Sequence, residues 1–241
     1  MKKQEVTEIS QKCLTLLTKG ATDEALETLK PILTQKLPFP LLDHCGEILG
    51  SLAAAKPESL LFFLDRIETT KAMGGYVIIG SALGCFVDHN LPQALGKAKE
   101  YIIKGDAWYV TDIIGERVQG RALVNHFSET LPLLGTFPHE QNPWVKRSVG
   151  VAAHFSAKRV RRDREKAERL LGPLSLYFEE KDTRIIKGTG WGLKTLGRYY
   201  PDLVVDFFKS QKGRIPSPLL IRKATTYLQP EMKTAIKALW N

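Results

Sequence analysis

GEILGSLAAAKPESLLFFLDRI (46–67) and GWGLKTLGRYYPDLVVDFFKSQ (190–211) decide the fold when one is laid over the other. Aligned on Pro57 and Pro201, they match Gly46 with Gly190, Leu49 with Leu193, Leu52 with Leu196 and Phe63 with Phe207, at an offset of 144 residues. A second self-match, LPFPLL (37–42) on IPSPLL (215–220), has an offset of 178, and Pro57 to Pro92 spans 35. All three are near-multiples of about 36 residues, close to the 34 to 47 of helix-pair repeats, in which each pair buries its apolar face by stacking on its neighbours.

Apolar residues recur at helical spacing almost throughout, and no stretch has the alternation of a strand. The pattern predicts fourteen helices from residues 4–19 to 230–239, including unbroken helices over 107–119, 122–134, 143–156, 161–178 and 182–199. Pro57, Pro92, Pro143, Pro201 and Pro218 stand where a first helical turn accepts proline. The fold class expected is all-α, an α-α superhelix (solenoid) of HEAT-like helix pairs with one concave groove. No linker or low-complexity segment interrupts the chain, so residues 1–241 read as one domain.

Thirty-five Lys and Arg against 26 Asp and Glu give a net charge of +9, a balance that suits a polyanionic partner as well as simple solubility. Cys13, Cys45 and Cys85 are far apart and odd in number, which suggests buried thiols rather than disulfides or a zinc site. The N-terminus lacks the uninterrupted apolar stretch of a signal peptide, and no run of about eighteen apolar residues spans a membrane. A soluble cytoplasmic protein is expected. No P-loop, dinucleotide fingerprint, nucleophile elbow or zincin helix occurs. The five histidines are scattered, so neither metal nor cofactor is implied.

In a solenoid, residues one period apart on equivalent helices face the same groove. Trp108 and Asp112 (AWYVTDIIGERV) lie one turn apart on one helix face. Arg147 (NPWVKRSVGVAAHF) follows Asp112 by 35 residues, and Trp191 (KGTGWGLKTLGRYY) follows Arg147 by 44, with Lys194 one turn on. Singly, each has an ordinary reading: tryptophans as core anchors, Asp112 as a partner for Arg117, Lys146 and Arg147 as surface charge. The glycines flanking Trp191 suggest close approach by something else, because glycine inside a helix costs about 1 kcal/mol relative to alanine.

Together these segments resemble the DNA alkylation repair enzyme family, the AlkD-like glycosylases built from HEAT-like repeats. The matching residues are Trp108 and Asp112 (WxxxD), Trp144 and Arg147 (WxxR), then Gly190, Trp191, Leu193 and Lys194. The likeness runs from about residue 100 to the PSPLLIRKATTYL segment (216–228); before residue 90 only compatible helices precede it. Tyr109 after the first tryptophan is a departure. So is Lys194 in place of an arginine, which keeps a phosphate contact without the bidentate fork.

The resemblance implies a monomeric glycosylase acting on double-stranded DNA that carries cationic N3- or N7-alkylpurines. It implies Asp112, Trp108 and Trp191 as catalytic residues, and Arg147, Lys146 and Lys194 as DNA-binding residues. The run KRVRRDREK (158–166) is a further candidate backbone contact, equally readable as a solvated helix. The alternative is a non-catalytic HEAT-repeat scaffold binding DNA or protein, which would need the cations but no carboxylate among them.

Overall fold

A computed structural model describes residues 1–240, and they are helical with no strand among them. Their contacts gather into two compact units, Met1–Val118 and a second from Gln119 onward. The first unit comprises α1 (Lys3–Thr18), α2 (Thr22–Thr34), α3 (Phe39–Gly50), α4 (Pro57–Glu68), α5 (Met73–Phe86), α6 (Leu91–Gly105) and α7 (Trp108–Ile114). The second comprises α8 (Arg121–Asn125), α9 (Phe127–Leu134), α10 (Pro143–Ala157), α11 (Arg164–Arg169), α12 (Leu171–Ser175), α13 (Thr183–Tyr199), α14 (Pro201–Ser210), α15 (Pro218–Ala224) and α16 (Pro230–Lys237). This is the all-helical, paired architecture of an α-α solenoid. Helices α3, α5, α7, α10, α13 and α15 begin at intervals of 34, 35, 35, 40 and 35 residues, and α4 and α14 begin at the aligned Pro57 and Pro201.

Helix starts follow the predicted chemistry. Proline occupies the first turn of α4, α6, α10, α14, α15 and α16, where its missing N–H removes no helical bond. Side-chain caps supplement it: Asn142 accepts from the amides of Trp144 and Val145 (2.9 and 3.3 Å), and Asp182 from that of Arg184 (2.8 Å).

Two predicted helices are broken. Residues 158–162 form a turn, and the segment after it divides between α11 and α12. Pro173 has no N–H to give the carbonyl of Arg169, the last residue of α11. The other break, between α8 and α9, falls at His126, whose φ of −129° and ψ of 51° lie outside the helical region. The helix expected over 107–119 leaves the α register after Ile114 and continues as a wider π-helical stretch, Gly115–Gly120.

In the first unit α5 is buried on nearly every side and packs against α3 and α7. Polar groups tie its outer helices together: Asp65 of α4 accepts from Tyr101 and Lys97 of α6, each at 2.9 Å. Burial pushes the Cys45 thiol up to about 11 and Cys13 to about 12, so both stay protonated. In the second unit α10, α13 and α15 lie in succession, over a cluster formed by Phe178, Phe207, Phe208 and Trp240.

Small residues bring neighbouring helices into near backbone contact. A Cβ on Gly46 would stand 2.6 Å from the Ile78 carbonyl oxygen, and one on Gly150 only 2.1 Å from the carbonyl carbon of Gly188. The glycines around Trp191 pack in the same way: Gly188 faces Arg147 and Gly192 faces Gly150 of α10, while Gly190 faces the stem of Lys223 of α15. What approaches them, as the sequence suggests something does, is the neighbouring helices. Gly150→Ala is therefore expected to destabilise by about 1–3 kcal/mol or more, as overpacking of a rigid neighbour does. The exposed Gly96, with nothing within 4 Å of an added Cβ, is its control: Gly96→Ala is expected to stabilise by roughly 0.5–1 kcal/mol. Thermal melts of the two variants check both signs.

Candidate nucleic-acid interface

The sequence-predicted residues divide between the two units. Trp108 and Asp112 stand one turn apart on α7 of the first. Trp108 is 60% exposed, too open for a core anchor, and its ring meets Tyr109 edge-on at 6.0 Å. Tyr109 in turn packs edge-on against the buried Tyr76 of α5 at 6.3 Å, so an aromatic chain fixes the base of the exposed indole. Asp112 is half-buried. Arg117, its anticipated partner, forks onto Asp43 with bonds of 2.7 and 3.1 Å.

In the second unit Arg147, Trp191 and Lys194 converge. They line a cavity of about 280 Å³ with Lys187, Lys223, Gly190 and Thr226. Four of these seven residues are cations and none is acidic. Arg147 is only 8% exposed; its side chain crosses Gly188, and its guanidinium donates to the Arg184 carbonyl at 3.1 Å. Lys146, on the same helix, is half-buried and does not line this cavity. The Lys223 ammonium is held below its ordinary pKa, first by burial and then by Lys187, Lys194, Arg222 and Arg147. A pocket that crowds like charges in this way favours an anion, which relieves the repulsion.

Trp191 is held from behind. Its ring stacks on His154 with centroids 3.9 Å apart and 26° between planes. The His154 Nδ1 lies 2.6 Å from the Thr195 hydroxyl, which itself donates to the Trp191 carbonyl at 3.0 Å. Burial, with smaller contributions from Lys158, Lys194 and Arg159, lowers the imidazole pKa to about 3, so the ring behind Trp191 is neutral.

Lys187, Lys223 and His154 are the participants the sequence reading missed. Lys187, Trp191 and Lys194 form an i, i+4, i+7 set on one face of α13, and Lys223 stands one residue past the position on α15 equivalent to Lys187. The repeat equivalent of Arg147 is therefore Lys187, 40 residues on as α13 is from α10, with Trp191 one turn beyond it. The basic run 158–166 is a turn entering α11 rather than one helix. Within it Arg159 lies over the Phe155 ring, Arg164 pairs with Asp202, and Lys166 lies 3.6 Å from Asp163.

The family model described as DNA alkylation repair enzyme matches residues 83–228, about three-fifths of the chain. The chain belongs to the DNA alkylation repair enzyme family. The match covers Trp108 and Asp112 as well as the Arg147, Trp191 and Lys223 cavity, and begins within α5. A solved structure, a predicted DNA alkylation repair enzyme from Enterococcus faecalis, shares the fold at a TM-score of 0.60 and 20% identity, over 80% of this chain and 87% of that one. No match was found among curated proteins. Membership gives this chain a role in the repair of alkylated DNA, with DNA as partner; no helix among the described residues is long and apolar enough to cross a membrane.

The neutral His154 has a consequence for acid stability. Its folded pKa lies far below the ordinary 6.5, so the unfolded chain binds the proton first, and stability is lost as pH falls from about 6.5 towards about 3. The slope approaches about 1.4 kcal/mol per pH unit over that window. His154→Gln is expected to flatten the decline between pH 6.5 and 5 by up to about 2 kcal/mol, or roughly 4–8 °C in Tm for a chain of this size. An unchanged acid slope in the variant would contradict a buried neutral imidazole.

Proposed function

We propose that this family member is a DNA glycosylase excising N3- and N7-alkylated purines from duplex DNA, with Asp112 as its central carboxylate. The observation that carries the reading is the pairing of Asp112 with the 60% exposed Trp108 one turn away on α7. A scaffold that only grips DNA needs cations but no carboxylate beside an indole, and a 60% exposed indole presents surface to a ligand.

A purine alkylated at N3 or N7 carries positive charge, so its glycosidic bond breaks without a general acid. The remaining task is to stabilise the oxocarbenium-like sugar. Asp112 does this electrostatically and orients the attacking water, since a half-buried carboxylate is worth more to a developing cation than a fully solvated one. The face of Trp108 adds cation–π attraction of about 0.5–2 kcal/mol to the cationic base or sugar. Arg147 and Lys194, with Lys187 and Lys223, grip the phosphate backbone, against which Trp191 sets its indole; Lys146 adds charge from the same helix as Arg147. No deep cavity for a flipped base is required by this chemistry, because the leaving group is already activated.

Single-turnover release of 7-methylguanine from a duplex oligonucleotide, with protein in excess, tests the assignment. Asp112→Asn is expected to slow release by about 10²–10³-fold, the usual effect of removing one preorganised electrostatic group, while duplex binding persists. Wild-type protein that binds DNA in a salt-dependent way yet releases no base would instead be a non-catalytic DNA-binding scaffold.

A further inference from the structure

The cation-lined cavity around Trp191 is bounded on one side by α15, and a second cavity lies beyond that helix. Of about 510 Å³, it is lined by Pro218, Ile221, Arg222, Thr225, Thr226, Lys233 and Lys237. Thr226 lines both cavities. Consecutive residues of α15 thus serve the two sides: Lys223 faces the first cavity and Arg222 the second. Next to Thr226, Tyr227 is 48% exposed, with Lys194 5.0 Å and Arg198 5.4 Å from its ring.

Several exposed cations of this chain pair with carboxylates, as Lys30 does with Glu27, Lys104 with Glu100, Lys209 with Asp206 and Arg214 with Glu179. Arg222, Lys233 and Lys237 converge from two helices on one concavity whose lining holds no acid. Glu231, the acid of the first turn of α16, stands two residues from Lys233 and so on another face of that helix.

We propose that the DNA backbone continues past the Arg147 and Lys223 cavity, across α15, into this second cavity, where Arg222, Lys233 and Lys237 bind phosphates outside the site of chemistry. This rests on the reading of the protein as a DNA-binding repair enzyme and extends its footprint. Spacing supports it. Packed helices stand about 8–10 Å apart, and one strand rises about 3.4 Å per phosphate, so the step from one cavity to the next corresponds to two or three nucleotides. The occupant is phosphodiester rather than an acidic peptide: the concavity shares Thr226 with the cation-lined cavity, and the exposed Tyr227 next to that residue offers a stacking or sugar-packing face.

The test is duplex affinity as a function of salt, measured by fluorescence anisotropy on an undamaged duplex of about two helical turns. Wild type is compared with Arg222→Gln/Lys233→Gln/Lys237→Gln, all partly or fully exposed positions, after thermal melts establish equal folding. Each lost phosphate contact lowers the slope of log K against log salt by about 0.9, so the triple variant is expected to lose about 2–3 from the slope. A wild type with a steep slope and a triple variant that matches it would overturn this extension while leaving the DNA-binding reading intact. Absence of salt-dependent duplex binding in the wild type would overturn both. Polyglutamate binding as tightly as duplex, and lost in the triple variant, would give the cavity to an acidic protein segment instead.

Discussion

The near-contact of α10 with α13 is the constraint on which the second unit's cavity depends. Gly150, Gly188 and Gly192 leave no room for side chains between the two backbones, and two consequences follow from that closeness. The Arg147 side chain lies across Gly188 and reaches the Arg184 carbonyl. Trp191 of α13 comes to stack on His154 of α10. Towards α15, the stem of Lys223 likewise fills the space above Gly190. A side chain at any of these glycines would separate the helices and move the cations, so the seam sets the geometry of the pocket as well as the stability of the unit. Glycine costs helix propensity at each position, and the close packing offsets that cost.

Electrostatics gives the same pocket its direction. Like charges meet in a lining that holds no acid, and burial first, then their repulsion, lowers the pKa of Lys223. His154 sits among those charges and remains neutral because it is buried and because protonation would add one more cation to the group. A protonated ring there would repel Lys194 and Lys158, and its stacking against Trp191 would change character. The free protein is thus strained electrostatically in a way that a polyanion relieves, and the binding energy so released is sensitive to salt.

Much of this was legible in the sequence, and what was missed has identifiable causes. The proline registers worked because Pro57 and Pro201 occupy a first helical turn, where few other constraints operate. Trp108, Asp112, Arg147 and Trp191 stand out in the sequence because rare or chemically distinctive residues fall in a known order. Lys187 and Lys223 do not, since two lysines among 35 basic residues carry no mark until a helix face and a period are both applied. The 161–178 pattern read as one helix because apolar spacing is blind to a missing donor, and Pro173 supplies that break. Glycines 190 and 192 were correctly read as signs of close approach, but sequence alone gives no means of telling a neighbouring backbone from a ligand.

The repeat also explains why position alone does not define function. Counting from each helix start, the fifth residues of α3, α5, α7, α10, α13 and α15 are Asp43, Val77, Asp112, Arg147, Lys187 and Arg222. One geometric position therefore carries two acids, an aliphatic and three bases along the chain. Asp43 and Asp112 are equivalent by this count, yet Asp43 is forked by Arg117 and accepts a further bond from Ser81 at 2.6 Å, which commits it to holding α3 against α5 and the turn after α7. Asp112 shares its helix face with the 60% exposed indole of Trp108. What separates a structural carboxylate from a candidate catalytic one is thus the neighbouring side chain one turn away, and that neighbour, Trp108, is where a repeated scaffold acquires a specific chemistry.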